Sequence, residues 1–273
     1  MLAGVAGVFV GASLVMALAW LIGERTGQSG WADAIWSLCV GMLGVAAALL
    51  PLADEPAPSP RQWLVAAMAA AWSARLAVHI ALRTHGRAED PRYAELRREW
   101  GGEARWRLFW FFQIQAVVAA VLALSIALAA RNPAPGLRLL DWLGLAVIAA
   151  AIVGEAVADR QLQRFRTRSR SFGAVCEVGL WRFSRHPNYF FEWLVWVAYP
   201  LIAFDPGGGY GWGWLALSAP VLMYWLLVHV SGIPPLEAHM LRTRGDAFRA
   251  YQARVNAFWP GAAGTPPPGE AHR

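Results

Sequence analysis

Asp33, in the stretch WADAIW, is a carboxylate near the start of an apolar run. Arg75, His79 and Arg83 recur at i, i+4 and i+8 in another run, which puts them on one helix face. Gln113 and Gln115 interrupt a third, and Glu155 and Asp159 close a fourth. A charged group at bilayer depth costs at least ~2.5–3.5 kcal/mol on insertion scales, so such groups face a cavity or a partner. Arg83 and Asp159, at run ends, have the plainer alternative of snorkelling to the surface. Arg75 lies deeper, and is expected either to pair with a buried acid such as Asp33 or to line a ligand cavity.

The densest polar chemistry runs from Glu155 to Glu192, EAVADRQLQRFRTRSRSFGAVCEVGLWRFSRHPNYFFE. If the helix carrying Glu155 continues, Asp159, Gln163 and Arg166 share one face while Arg160, Arg164 and Arg168 form another. Farther on, Pro187 suits the first position of a helix, with Asn188 and Glu192 one turn apart behind it. That helix start offers unpaired amides and a positive dipole end beside Arg182, Arg185 and His186, a place for phosphate. A lipid-facing basic loop would account for the arginines. It would not account for Asp159, Asn188 and Glu192, which suit a ligand bearing both phosphates and ribose hydroxyls. No Rossmann glycine fingerprint and no Walker loop occurs, so a nucleotide would be held in a membrane-embedded way. No metal centre is expected.

The elements that must position these groups follow from composition. The chain has 273 residues, 57% of them apolar and 15% charged, which excludes an ordinary soluble domain. Seven apolar runs, at 2–22, 31–53, 62–83, 107–130, 138–158, 189–206 and 212–233, are each long enough or nearly so to cross about 30 Å of hydrocarbon as a helix. The first lacks the basic start and cleavage site of a signal peptide and is read as a span. All 24 basic residues are arginine, and 19 of them fall in alternate loops and the tail. The positive-inside rule then puts those loops in the cytoplasm and the N-terminus outside. The net charge of +6 is thus expected at anionic headgroups or a phosphorylated ligand, not at nucleic acid. Two cysteines, Cys39 and Cys176, make no disulfide framework. Residues 261–273 read as a disordered tail.

GLWRFSRHPNYFFEW, the upstream Asp159 and Arg166, and SGIPPLEAHMLRTRGDAFRAYQARVNAFWP together resemble the steroid 5-alpha-reductase superfamily, in its bacterial branch. The resemblance covers residues 144–260 well. Over the first four runs it rests on WADAIW, the arginine-bearing third run, EDPRY at 89–93 and FFQIQ. It implies an all-α, seven-span membrane reductase in which residues 1–137 enclose an apolar substrate and residues 138–260 hold NADPH. Asp159, Arg166, Asn188, Tyr189 and Glu192 match positions that contact the dinucleotide. Arg87 matches an arginine that reaches it, Glu237 sits at the closing end of the site, His186 touches phosphate or braces the turn, and Arg185 is a further cofactor contact.

The implied reaction is hydride transfer to the β-carbon of an enone-like substrate while a proton donor polarises the carbonyl. In the animal enzymes that donor side is a Gln-Glu pair in the second span and a tyrosine in the third. Here the second run offers only Asp33, and Trp72 stands where the tyrosine is expected. Asp33 is therefore the candidate acid, with Tyr93 as the alternative, and Trp36, Trp72, Arg75, Gln113 and Gln115 are candidate substrate contacts. Phe191 occupies a position that is commonly glycine in the family and is expected to narrow the approach to the cofactor. The expected partners are an apolar small molecule and membrane lipid, for a monomer in a bacterial inner membrane. Two other readings are an S-adenosylmethionine-dependent methyltransferase of the isoprenylcysteine carboxyl type, which carries a similar Arg-His-Pro-x-Tyr element, and a non-catalytic lipid-binding protein of the same fold.

Overall fold

The structure, a computed structural model, describes residues 2–51, 57–86, 88–168 and 173–262, with side chains from residue 6 onward. Arg87 and the tail after residue 262 lie outside the described residues. Among the described residues the α-helices follow in order: α1 Leu2–Thr26, α2 Trp31–Leu49, α3 Pro60–Thr84, α4 Pro91–Trp100, α5 Ala104–Ala130, α6 Leu139–Arg168, α7 Pro187–Ala203, α8 Ser218–Trp225 and α9 Ile233–Arg254, the last kinked at Gly245. Among the described residues there is no strand.

Among the described residues six stretches are long and apolar enough to cross a membrane. The first five of them contain α1, α2, α3, α5 and α6, matching the first five apolar runs. The seventh expected span, α7, has 17 residues that rise about 25 Å, at the lower limit of the length that crosses a hydrocarbon core of roughly 30 Å. The run at 212–233 is not one regular helix. A 3₁₀ stretch at Gly211–Leu217 leads into α8, a π-turn follows at Leu226–Val230, and α9 starts only after Gly232. A Cβ on Gly232 would stand 2.4 Å from the Leu227 carbonyl oxygen, so the close backbone approach here needs glycine.

Local sequence signals account for several helix starts. Ser59 and Gln62 form a capping box at α3, with Ser59 accepting from the Gln62 amide and Gln62 accepting from the Ser59 amide at 2.6 Å. Asp90 caps α4 by accepting from the Arg92 amide at 2.9 Å, and Pro91 takes the first helical position. Sequence reading treated this stretch only as a polar loop. α6 continues to Arg168, as the spacing of Asp159, Gln163 and Arg166 anticipated, and α7 begins at Pro187.

The chain divides into two compact units. The first comprises Met1–Leu145 and Ala198–Ala219, and the second Ala146–Val197 and Pro220–Arg273. In the first unit α2 and α3 run antiparallel at close range, Gly41 opposite Ser73 and Gly44 opposite Ala69. A Cβ on Gly41 would come within 2.1 Å of Ser73 Oγ, and one on Gly44 within 2.5 Å of Ile126 in α5. Small residues replace hydrophobic driving force when helices pack in lipid, by letting backbones approach. α5 lies along α1 in the opposite sense, through Ser13 to Gln113 at 2.6 Å and Trp20 Nε1 to the Arg105 carbonyl at 3.0 Å.

One end of this unit is closed by a buried ion pair. Arg61 donates Nε and Nη2 to Asp141 at 2.8 and 2.9 Å, and its Nη groups also donate to the carbonyls of Asn132, Ala134 and Gly136. The two side chains are 4% and 0% exposed, so the pair is sealed from solvent. Asn132 completes the closure by donating to the carbonyls of Ile202 and Ala203.

In the second unit α6 and α7 pack antiparallel with Gly154 against Phe191. A Cβ on Gly154 would stand 2.4 Å from the ring. The ring of Phe191 is thus seated in a groove that the missing side chain leaves on α6. Trp181 anchors the loop before α7 by donating Nε1 to the Ala158 carbonyl at 3.0 Å. The segment after α9 straps that loop: Arg185 N donates to the Asn256 carbonyl, Gly261 N to the Phe183 carbonyl, and Ser184 Oγ to the Ala257 and Phe258 carbonyls.

Candidate functional site

Two polar centres stand out, one in each unit. In the first unit, Asp33 lies in the first turn of α2 and receives two donors from α4. Tyr93 donates its hydroxyl to Oδ1 at 2.8 Å, and Arg92 donates Nη2 to Oδ2. The Arg92 guanidinium is shared with Asp90, at 3.0 and 3.1 Å. Asp90 is partly desolvated, but the hydrogen bonds and charge of Arg92, with Arg83 behind, outweigh that and hold its carboxyl below the usual range. Glu89 accepts from the amides of Ser29 and Gly30 at 3.0 and 3.2 Å, just before α2 begins. Arg97 ties Glu24 and Ser29 to the same assembly at 2.7 and 3.0 Å. Glu89, Arg92 and Tyr93 of the motif EDPRY thus dock α4 on the start of α2, each through a different bond, while Asp90 holds Arg92 in place.

Tyr93 is 3% exposed, edge-on to Phe112 at 5.8 Å, and Gln115 of α5 stands within hydrogen-bonding reach of its hydroxyl. A phenol set between a carboxylate acceptor and an amide donor has a defined hydrogen direction, which a general acid requires. The two candidates that the sequence offered as alternatives, Asp33 and Tyr93, are joined by one hydrogen bond. Arg92, which the sequence reading left out, holds the other carboxylate oxygen. Its spacing one residue before Tyr93 was visible, but its partner lies 59 positions away.

The candidate substrate contacts divide. Trp36 Nε1 donates to the Gln115 carbonyl at 2.9 Å, so these two are together near Tyr93. Gln113 bonds Ser13 and serves the α1–α5 contact. Trp72 is fully buried in the packed interior, and Arg75 is half-buried one turn farther along α3.

The second unit gathers Asp159, Arg166, Arg185, His186, Asn188, Tyr189, Glu192 and Glu237. Glu237 in the first turns of α9 is the hub. It accepts from Arg185 Nε at 2.8 Å and Nη2 at 3.1 Å, from Gln252 at 2.7 Å, and bonds His186 Nε2 at 2.9 Å. Arg185 Nη1 also donates to the carbonyls of Gln252 and Val255. Four of its five N–H groups are therefore committed within the chain. His186 is 3% exposed and stacks on Tyr189 at 5.4 Å; burial, only partly offset by Glu237, pushes its pKa below the ordinary value.

The other predicted residues are more open. Arg166 is exposed, while Asp159, Asn188 and Tyr189 are half-buried. Glu192 is buried and accepts from Trp196 Nε1 at 3.1 Å. An exposed guanidinium, an accessible carboxylate and a helix N-terminus form a donor and acceptor set suited to phosphate and ribose. Among the described residues no group of three or more His, Cys, Asp or Glu side chains could hold a metal ion.

A family model described as a protein of unknown function (DUF1295) matches residues 19–255, across both units. No curated protein and no solved structure matches the chain. With most of its length matched, the chain belongs to the DUF1295 family, within the steroid 5-alpha-reductase-like superfamily.

Proposed function

We propose that the protein is a membrane-embedded reductase that uses NADPH to saturate an activated carbon-carbon double bond, of enone type, in an apolar steroid- or sterol-like, isoprenoid or acyl substrate. The observation that carries this reading is the 2.8 Å hydrogen bond from buried Tyr93 to Asp33, with Gln115 beside it. Substrate binding turns the phenolic hydrogen from Asp33 to the substrate's carbonyl oxygen. Tyr93 then stabilises the enolate oxygen, the α-carbon takes its proton from water, and Arg92 and Asp90 keep Asp33 in place. NADPH, when bound, supplies the hydride. Arg166, Asp159, Asn188, Tyr189 and Glu192 hold it in this reading. Arg185, His186 and Glu237, already engaged with one another, shape the turn before α7.

The arginine bias turns the basic helix ends toward the cytoplasm and the N-terminus outward, in a bacterial inner membrane. α7, at the lower limit of spanning length, makes the seventh crossing, and the protein works as a monomer. Thermal unfolding of the purified protein tests the reading against its rivals. NADPH raises the melting temperature and S-adenosylmethionine does not. The reverse result favours the methyltransferase, which shares the Arg185-His186-Pro187 element, and no shift with either ligand favours a non-catalytic lipid-binding protein.

A further inference from the structure

Where α1 ends and α5 begins, Trp20, Gly102, Arg105 and Trp106 line an open cleft of about 430 Å³, within the range of small-ligand sites. Its walls are fixed by contacts within the first unit. Trp20 is held through Nε1 by the Arg105 carbonyl and packs edge-on to Phe109 at 5.4 Å. Trp106 stacks on Phe109 at 5.8 Å and meets Trp110 edge-on at 5.4 Å. Gly102 adds no side chain, and a Cβ there would meet nothing within 4 Å.

Arg105 lies over the Trp20 ring, 5.4 Å from its centroid, with its side chain 72% exposed. Its acidic neighbour among the described residues is Glu24, which stands 3.9 Å from Nε, too far for a hydrogen bond, and is itself bound by Arg97 at 2.7 Å. Both Nη groups of Arg105 therefore remain available to an external acceptor. Trp106 and Trp110 are 63% and 51% exposed, an arrangement that water disfavours and that a membrane interface favours. α5 has 27 residues and rises about 40 Å, so its first turn extends past a hydrocarbon core of about 30 Å into the headgroup layer.

We propose that this cleft binds the phosphate headgroup of an anionic phospholipid, with Arg105 on the phosphate and the tryptophans against the glycerol and upper acyl carbons. A free phosphate would satisfy Arg105 but leave the indole walls wet, so a lipid is the occupant that uses the whole cleft. The inference does not depend on the reductase reading.

Retention of phosphatidylglycerol and phosphatidylcholine by the intact detergent-solubilised protein, read by native mass spectrometry, tests it. The wild-type chain retains phosphatidylglycerol in preference to phosphatidylcholine. Arg105→Gln lowers that retention roughly tenfold, the scale of one charge-assisted contact, and Arg105→Lys restores most of it. Trp106→Ala lowers retention of both lipids. Arg98, equally exposed and paired with Glu95, serves as the control, and Arg98→Gln leaves retention unchanged. Equal retention in wild type and Arg105→Gln overturns the site. So does an equal loss in Arg98→Gln, which would mean diffuse surface charge, or displacement of the lipid by millimolar inorganic phosphate.

Discussion

Arg61 with Asp141 and Arg92 with Asp33 are made of the same residue types, at opposite ends of the antiparallel α2–α3 pair, yet they are built for different ends. Arg61 and Asp141 are 4% and 0% exposed, and the guanidinium is enclosed by three carbonyls. Arg92 and Asp33 are 48% and 21% exposed, and the carboxylate's second oxygen holds a phenol. A sealed pair can only hold structure together. An open pair that keeps a titratable hydroxyl in one orientation can be disturbed by a ligand without the fold giving way. The difference lies in exposure and in the third partner, not in the ion pair itself.

That contrast is open to direct attack. The largest effect is expected at the sealed end: Arg61→Met strips the buried Asp141 carboxylate of its two-pronged partner and leaves it only Arg138, at 3.5 Å, a loss of about 3 kcal/mol. Chemical or thermal unfolding in detergent checks it, and a near-wild-type midpoint would mean that the closure is dispensable. Next come Tyr93→Phe and Asp33→Asn, expected to slow NADPH-dependent enone reduction by roughly 10²-fold or more with little change in melting temperature. If both unfold the protein as Arg61→Met does, the open centre is as structural as the closed one.

Smaller effects belong to the second unit. Arg166→Ala and Asn188→Ala are each expected to weaken NADPH binding about tenfold while leaving the fold intact. Unchanged affinity in a titration of both variants would remove these positions from the cofactor site. The smallest effect concerns pH. His186 has a depressed pKa in the folded chain, so the unfolded chain takes up its proton first as pH falls below about 6.5. The stability that neutral His186 contributes is present above that pH and is lost progressively below it, by no more than ~1.4 kcal/mol per pH unit. His186→Gln should flatten the dependence of the unfolding midpoint on pH just below about 6.5; an unaltered slope would assign it to other groups.

Much of the fold could be read before any coordinates. Runs of apolar residues, the continued polar spacing to Arg166, and Pro187 ahead of Asn188 are local signals, and they correspond to α1–α3, α5, the full length of α6 and the start of α7. The cap of α4 was also local, an aspartate before a proline, but it was hidden inside a charged stretch. Hydropathy marked the run at 212–233 as a span, but it does not register the 3₁₀ start, the π-turn and the tight approach at Gly232 that interrupt its helix. At the candidate site, Asp33 and Tyr93 were both visible as chemical groups. Their bond was not, because it joins positions 60 apart across two helices, and no periodicity links them. The Arg61–Asp141 closure, 80 positions apart, was invisible for the same reason. Arg185, His186 and Glu237 were recognisable as a set, but their engagement with each other shows only when α9 is folded back.

The seating of Phe191 against Gly154 constrains how this chain can change over time. Any side chain at 154 collides with the ring while position 191 stays phenylalanine, and a small residue at 191 alone leaves an unfilled groove on α6. Two substitutions that would be harmless together are each costly alone, so the order in which they arise matters. A lineage moving between the two solutions must pass through a less stable ancestor, and the margin left by the rest of the fold decides whether that passage is open.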